Sequence, residues 1–330
     1  MKDRLFAYTA AVEEYHPKEL VSYSKRAESA GFDEIWISDH FHPWVHTGSH
    51  SGNAWVILSE IAALTSRVSL GTCVTAPILR YNPAVVAQVF ATLESLNTGR
   101  VFLGLGLGEA INEIPLGYEW PPFRERLKML EEAVSVIRAL WSKDYVTFKG
   151  KYFRLLKANI FDKPSRKIPI YVAAGGKKVA ELAGRLADGL FTVPLHQEGD
   201  MKALISTFES GVKSSGRDPD DAQKAILIHV AFGEDMDQVI RAIAPWRATL
   251  LPFLFDLPVY DPRYIERHGE FVGLEALRKG FLMATSAEEV IKRCEEYFRL
   301  GFTKIGFAPS GATMQFMDAF QEEINPYFKS

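Results

Sequence analysis

The sequence of 330 residues contains only two cysteines, Cys73 and Cys294, which lie far apart. Neither a disulfide framework nor a thiolate metal site is expected from such a pair. No stretch of about 18 or more predominantly apolar residues occurs, so no membrane-spanning helix is expected. Residues 1–16 lack the long apolar region and the cleavage site of a signal peptide, and we therefore expect a cytoplasmic protein.

The chain also lacks a strong excess of one charge sign. Its 38 basic and 41 acidic residues give a net charge of -3, and no long run of one sign occurs. Such a surface does not attract nucleic acid or an anionic membrane, and the expected partner is a small molecule. At this length, a single α/β barrel with loop insertions is the default architecture.

Strand-like apolar runs alternate with amphipathic helical stretches along most of the chain, which is typical of βα units around a parallel sheet. Eight units in one series predict an α/β fold of the closed (β/α)8 TIM-barrel type, with residues 1–330 as one domain. The predicted strands are 5–11, 34–37, 68–74, 101–105, 168–173, 189–193, 225–232 and 303–307. The predicted helices are 17–30, 52–66, 83–96, 123–141, 177–186, 201–214, 286–300 and 315–328.

Three segments are predicted to be insertions in this repeat, at about 107–122, 145–155 and 234–283. The second has the pattern of an accessory hairpin, with residues 145–148 and 152–155 as its strands. The third is longer than a barrel connection needs, and we expect it to lie near the active site.

Polar residues follow most of the predicted strands. Because the carboxyl ends of barrel strands meet at one mouth, we expect these side chains to converge there. In strand order they are Glu13; Asp39, His40 and Trp44; Thr75; Glu109 and Asn112; Gly175 and Gly176; and His196, with His229 inside strand seven.

His40 is the best candidate for a general base, since imidazole is the side chain that ordinarily titrates near neutrality. Asp39 is not expected to orient it, because adjacent side chains on an extended segment point to opposite faces. The pair His40-x-His42 is also compatible with a zinc hydrolase. Against that interpretation, the pair follows the second strand rather than the first, and no aspartate follows predicted strand eight.

Two glycine-rich stretches could approach a ligand. Gly104-x-Gly106-x-Gly108 lacks the full spacing of a dinucleotide fingerprint but would let a flat ring lie against the backbone. Ala173-Ala174-Gly175-Gly176 precedes a helix that starts with Lys177 and Lys178. It is either an anion cradle or a turn that requires glycine.

Four motifs occur together in order and spacing: Asp39-His40-Phe41-His42-Pro43-Trp44, Arg80-Tyr81-Asn82-Pro83-Ala84, Gly108-Glu109-Ala110-Ile111-Asn112-Glu113 and Ala173-Ala174-Gly175-Gly176. Through them nearly the whole chain resembles the luciferase-like superfamily, in its branch of dehydrogenases that use the deazaflavin coenzyme F420. The resemblance implies coenzyme F420 as cofactor and hydride transfer from a CH–OH donor to the deazaflavin. By analogy with the superfamily we also expect a homodimer.

The resemblance implies roles for individual residues. His40 would be the base for the substrate hydroxyl, Trp44 would contact the substrate oxygen, Glu109 would be the acid near the coenzyme's N1, and Glu13 would be a further active-site carboxylate. Cys73-Val74 occupies the position of the family's cis peptide bond. The coenzyme-binding positions are Ser38, Asp39, Cys73, Val74, Asn112, Ala174, Gly175, Gly176 and Lys177.

The substrate is where the resemblance divides, between secondary alcohol dehydrogenases of archaea and glucose-6-phosphate dehydrogenases of actinobacteria. In the second group a threonine, a lysine and a late arginine hold the phosphate, and here Val193, His196 and Gly280 stand there. Arg267 retains a basic residue at one position of the sugar-phosphate group, and Lys279 lies close to a second such position. Loss of charge-assisted donors weakens a phosphate site, so a secondary alcohol is favoured and a sugar phosphate is the alternative.

Other classes of protein remain open. A flavin-dependent monooxygenase of the same superfamily would bind FMN and consume oxygen. A deazaflavin-binding protein without catalysis would bind the coenzyme but give no turnover, and a metal-dependent hydrolase would need a ligand set beyond His40 and His42.

Overall fold

A computed structural model describes residues 4–195, 197–251 and 253–329. His196, one of the predicted substrate residues, lies outside them. Each of eight strands pairs in parallel with the next, and the last pairs with the first, so the sheet closes. The predicted (β/α)8 barrel is therefore confirmed. Its strands are β1 Leu5–Ala10, β2 Glu34–Ile37, β3 Ser69–Thr72, β4 Val101–Leu105, β5 Ile170–Ala173, β6 Gly189–Thr192, β7 Gln223–Phe232 and β8 Lys304–Gly311.

Helices connect successive strands on the outside of the barrel. Asn82 shows how they start: its side chain accepts a hydrogen bond from the Ala84 amide, and Pro83 is the first helical residue. Gly31 ends the first helix in the left-handed conformation, with φ 96°. The helices are α1 Pro17–Ala30, α2 Ala54–Leu64, α3 Pro83–Leu96, α4 Phe123–Ser142, α5 Lys177–Leu186, α6 Glu198–Ser214, α7 Ala287–Arg299 and a terminal segment, α8, made of Thr313–Ala319, a π-helical turn Phe320–Ile324 and Asn325–Lys329.

The remaining elements lie in, or extend one to three residues beyond, the three segments that the sequence predicts to leave the repeat. Val146–Lys149 and Arg154–Ala158 pair as the antiparallel hairpin. Leu282–Ala284 is a short strand beside the end of β7. The short helices are Ala110–Glu113, Met236–Ile243, Phe253–Asp256, Pro262–Gly269 and Leu274–Gly280, with 3-10 turns at Ile114–Leu116 and Ala244–Leu250. No helix in the described ranges is long and apolar enough to cross a membrane.

Several predicted element ends are wrong. β8 runs to Gly311 rather than residue 307, because Ala308–Gly311 continue to pair with the last residues of β7 although the apolar pattern has ended. Pro309 and Ser310 therefore belong to the strand instead of following it. α6 begins at Glu198 rather than residue 201, and α2 is shorter than predicted because Asn53 caps it through its side chain.

The lower half of the barrel is filled by an aromatic layer. Ring centroids of Trp36 and Phe191 lie 4.8 Å apart, those of Tyr171 and Phe191 5.3 Å apart, and those of Phe102 and Tyr171 5.4 Å apart. Gly306 makes room for this layer, since a Cβ there would stand 2.2 Å from the Trp36 ring. Residues at the amino-terminal end are thereby separated from those at the carboxyl-terminal mouth.

A cavity of about 920 Å³ lies at the amino-terminal end of the barrel. It is lined by charged side chains that include Lys167, Asp188, Arg217 and Lys304. Lys304 pairs with Glu34 directly beneath the aromatic layer. The cavity is thus on the far side of the barrel from the polar residues that follow the strands.

Candidate active site

His40 lies between two glutamates at the carboxyl-terminal mouth. Its Nε2 is 3.6 Å from Oε1 of Glu13 and 3.4 Å from Oε2 of Glu109. The side chains of Glu13 and His40 are 6% and 11% exposed, and that of Glu109 is 28% exposed. Three predicted residues from the ends of β1, β2 and β4 thus converge. Nε2 of His40 is therefore within proton-transfer reach of two carboxyl groups.

The environment of Glu109 changes the pKa of its carboxyl group. Burial raises the pKa of its carboxyl above the ordinary value, His40 acts in the opposite direction, and Glu13 adds to the rise. Part of the side chain remains open to the mouth, so a ligand can reach the carboxyl group. A carboxyl group with a raised pKa can act as an acid closer to neutral pH.

Asn112 connects His40 to Glu109 on the other side of the ring. Its Oδ1 accepts the Phe41 amide at 2.8 Å, which turns Nδ2 toward His40 and Glu109. Nδ2 lies 3.3 Å from Nδ1 of His40 and 3.2 Å from Oε2 of Glu109. Nδ1 is also 3.2 Å from the carbonyl oxygen of His42. The ring and the carboxyl group are therefore held in place by one amide.

Ser38 ties the end of β2 to the turn after β1. Its hydroxyl donates a hydrogen bond to Oε2 of Glu13 and accepts one from the Val12 amide at 2.9 Å. Glu13 therefore has one oxygen bound by Ser38 and the other facing His40. Ser38 was a predicted coenzyme residue, and its hydroxyl is used here to orient an active-site carboxylate.

Asp39 belongs to a separate buried network. Its carboxylate accepts hydrogen bonds from Arg80 at 2.9 Å and Thr75 at 2.7 Å. Arg80 also pairs with Glu113 at 3.2 Å, and these three side chains are no more than 5% exposed. The expectation that Asp39 does not orient His40 is confirmed. Sequence reasoning gave Arg80 and Glu113 no role, although both follow strands of the same mouth as Asp39.

Aromatic side chains form one wall of the mouth. The ring of Trp44 lies 5.5 Å from that of His40, and His229 from β7 lies 4.6 Å from Trp246. Burial lowers the pKa of His229 to about 4, and its buried Nδ1 has no hydrogen-bond partner among the described residues. The sequence predicts Trp44 and His229 in the mouth and the third insertion near it, but it does not single out the aromatic residues of that insertion. The aromatic wall consists of Trp44, His229, Trp246, Phe255 and Phe281.

The peptide bond between Cys73 and Val74 is cis, as the resemblance implied. It follows β3 and packs on the aromatic layer. Gly106 from β4's loop leaves room for Val74, because a Cβ on Gly106 would stand 2.6 Å from its Cγ2. Burial raises the pKa of the Cys73 thiol, which is therefore neutral.

The start of α5 is open and electropositive. Its N-cap residue is Gly176, which has no side chain to accept a hydrogen bond from the amides of the first turn. A Cβ on Gly175 or Gly176 would meet no atom within 4 Å. Lys177 and Lys178 begin the helix, and no acidic residue stands in its first turn. Amide groups and positive charge at a helix N-terminus suit a phosphate group.

The predicted substrate positions are not joined to His40 by any contact in the described part of the chain. Val193 is exposed just after β6. Arg267 donates a hydrogen bond to the Arg263 carbonyl at 3.2 Å on its own helix. Lys279 is 70% exposed and pairs with Glu275 at 2.7 Å.

No group of three or more potential metal ligands occurs among the residues described. The ring of His42 stacks on Phe41, and its Nδ1 lies 3.4 Å from the carbonyl oxygen of Tyr260. His42 therefore faces the third insertion, whereas the Nε2 of His40 faces two carboxylates.

The sequence matches the family model described as luciferase-like monooxygenase over residues 5–304. This chain belongs to the luciferase-like monooxygenase family. The family expected from the four motifs is thereby confirmed. One relative in the family is the "F420-dependent glucose-6-phosphate dehydrogenase" of Kineococcus radiotolerans, 39% identical over 98% of this chain and 96% of that protein. Another, of the same description, from Microbacterium testaceum, is 37% identical over 97% and 96%.

Two solved structures share the fold of this chain. An "F420-dependent secondary alcohol dehydrogenase in complex with an F420-acetone adduct" is 38% identical, with a TM-score of 0.96 over 99% of this chain and 100% of that one. A coenzyme F420-dependent tetrahydromethanopterin reductase from Methanopyrus kandleri is 21% identical, with a TM-score of 0.83 over 99% of each chain, and shares the fold.

Proposed function

We propose that this luciferase-like chain is an oxidoreductase that uses coenzyme F420 to oxidise a secondary alcohol. The observation that carries the proposal is His40, whose Nε2 lies within 3.6 Å of two carboxylates at the mouth of the barrel. The descriptions of the relatives support the coenzyme, and the high structural similarity to an alcohol dehydrogenase supports the substrate class.

The mouth fits the coenzyme. The open start of α5 would hold the phosphate, through Ala174, Gly175, Gly176 and Lys177. Cys73 and Val74 lie above the aromatic layer, where a flat ring can rest. Ser38, Asp39 and Asn112 complete the coenzyme-binding positions. Coenzyme F420 held at these positions would supply the acceptor for the hydride of the substrate's carbinol carbon.

The protein's own residues handle the proton. His40 takes the hydroxyl proton of the alcohol on Nε2, and Glu13 stabilises the resulting charge from 3.6 Å. Trp44, whose ring lies 5.5 Å from His40, contacts the substrate oxygen. Burial raises the pKa of the Glu109 carboxyl group, which lies 3.4 Å from Nε2 of His40 and is open to a ligand in the mouth. The Asn112 amide holds the His40 ring and the Glu109 carboxyl group in fixed positions relative to each other.

The aromatic wall favours an apolar secondary alcohol. Side chains such as Trp246 and Phe281 offer a small alkyl group apolar contact but no charge-assisted hydrogen bond. Val193 is apolar where the sugar-phosphate group has a threonine, and Lys279 is bound to Glu275.

A sugar phosphate is the second candidate. The observation that favours it is the description of the relatives as glucose-6-phosphate dehydrogenases, at 36% to 39% identity. Arg267, exposed on the helix Pro262–Gly269, is the cation best placed by sequence to meet a phosphate.

One experiment separates the two. Purified protein is mixed with oxidised coenzyme F420 and either 2-propanol or glucose 6-phosphate, and the deazaflavin absorbance is followed. Loss of absorbance with 2-propanol alone is expected. Loss of absorbance with glucose 6-phosphate alone would make the sugar phosphate the favoured substrate. No loss of absorbance with either compound would contradict both candidates.

We also propose that the chain is a homodimer through the outer faces of α2 and α3, with the whole barrel and its three insertions as one domain. These adjacent crossover helices expose Val56, Leu64, Val85 and Leu96 to solvent. Light scattering on the parent and on Leu96→Lys measures the state. A dimeric parent and a monomeric variant are expected, and a monomeric parent contradicts the proposal.

A further inference from the structure

A small cavity lies behind Glu13 and Trp44, away from His40. Its volume is about 130 Å³, and the residues that matter in its lining are Glu13, Glu14, Trp44, Thr47, Ser49 and Trp246. Neither His40 nor Glu109 lines it. A water molecule takes about 30 Å³ in the liquid, so the cavity has room for several. Thr47 is exposed, which connects the cavity to solvent.

Glu13 is the link between His40 and this cavity. Its Oε1 faces Nε2 of His40 at 3.6 Å, and Glu13 is one of the residues that line the cavity. Ser38 holds the other oxygen, so the carboxylate is fixed in this bridging position. The Glu13 carboxylate can therefore accept a proton from His40 on the side of the cavity.

Glu14 is the second carboxyl group of the cavity. Ser310 from β8 donates a hydrogen bond to its Oε2 at 3.1 Å. Burial raises its pKa to about 8, hydrogen bonds from Ser310 and Tyr15 lower it, and the charge of Glu13 raises it. Tyr8 and Tyr23 are the other titratable groups coupled to it. A carboxyl group of this kind binds and releases protons near neutral pH.

We propose that Glu14 and the cavity form the exit through which the proton taken up by His40 reaches solvent. The proposal rests on the proposed function, in which each oxidation releases one hydride and one proton. The carbinol C–H bond breaks with its electron pair going to the coenzyme, and the O–H proton goes to Nε2 of His40. That proton then moves to Glu13, through cavity water to Glu14, and out past Thr47. His40 is thus returned to the neutral form for the next turnover.

The exit is needed only after the first turnover, and this separates Glu14 from residues that act in the hydride step. Glu14→Gln keeps the size of the side chain and the hydrogen bond from Ser310, but it removes the carboxyl group that binds the proton. Ser49→Phe is a second variant, which fills the cavity and leaves both carboxyl groups in place. Glu322→Gln, an exposed carboxylate on the terminal helix, is the matched control.

Stopped-flow absorbance with oxidised coenzyme F420 and 2-propanol measures the first turnover, and steady-state assays measure kcat. In Glu14→Gln and Ser49→Phe we expect a first turnover within about twofold of the parent and a kcat lower by about tenfold or more. Glu322→Gln should match the parent in both.

A parent-like kcat in both variants overturns the proposal. An equal loss in the first turnover and in kcat overturns it too, because it marks general damage to the site. A parent protein that gives no first turnover with any secondary alcohol instead overturns the proposed function on which the exit depends.

Discussion

Asp39 and His40 are adjacent in the chain, yet their side chains enter two separate networks. The Asp39 carboxylate accepts hydrogen bonds from Arg80 and Thr75, whereas Nε2 of His40 faces Glu13 and Glu109. The alternation of an extended segment separates a buried structural cluster from a group that a ligand can reach. Substitutions at the two positions should therefore fail in different ways.

Replacing His40 by alanine should abolish catalysis but spare coenzyme binding. Removal of a general base costs about 10² to 10⁴ in rate. We expect kcat with 2-propanol to fall within that range, while the dissociation constant for coenzyme F420, measured by fluorescence titration, stays within about threefold. His42→Ala, which removes a ring facing the third insertion, is the control and should keep most of its activity. Normal turnover in His40→Ala would refute its role as base.

Replacing Arg80 by alanine should destabilise the fold. It leaves the buried carboxylates of Asp39 and Glu113 without their cation, a change that typically costs about 3–5 kcal/mol. Arg26→Ala is the control, because its pair with Asp318 is partly exposed, at 24% and 55% of the two side chains, and should cost about 1 kcal/mol or less. Urea denaturation followed by circular dichroism measures both. Equal midpoints for the two variants would contradict the buried-network account.

The local pattern of the chain was enough to predict the barrel and the convergence of Glu13, His40 and Glu109, because each follows a short apolar strand and strand ends meet by topology. The hydrogen bonds of Asn112 could not be predicted from the local sequence pattern. Nothing in its neighbourhood says that Oδ1 binds the Phe41 amide and turns Nδ2 toward His40. Trp246 is a stronger case, since it lies in an insertion whose path depends on tertiary packing rather than on periodicity.

Placing a large side chain at Gly175 should weaken coenzyme binding without unfolding the protein. A Cβ at this position meets no atom within 4 Å, so Gly175→Leu should leave the melting temperature within about 2 °C of the parent. The same side chain would project into the proposed phosphate cradle, and we expect a dissociation constant for coenzyme F420 raised by about tenfold or more. Gly199→Leu, at another open glycine, is the control for binding. Parent-like binding in Gly175→Leu would place the phosphate elsewhere.

Removing His229 should make the fold more tolerant of acid. Its pKa is about 4 in the folded protein because of burial, against about 6.5 for a free imidazole, so only the unfolded chain gains a proton between these values. Stability is thus lost as the pH falls from about 6.5 to about 4. The stability of His229→Leu relative to the parent should rise over this window by on the order of 2 kcal/mol.

Melting temperatures of parent and variant at pH 7, 6, 5 and 4.5 measure the effect of His229. His46→Leu, at an exposed histidine, is the control and should track the parent at each pH. A constant difference between His229→Leu and the parent across the series would show that the imidazole does not resist protonation in the folded state.

The aromatic layer of Trp36, Phe102, Tyr171 and Phe191 closes the barrel below the mouth and leaves molecules that bind there a single way in and out. Two ligands that occupy such a space together cannot exchange independently. The one that rests nearer the layer enters first and leaves last. Steady-state kinetics of a two-substrate reaction in this barrel should therefore follow a compulsory order. The ligand farther from the aromatic layer should bind only to protein that already holds the ligand nearer to it.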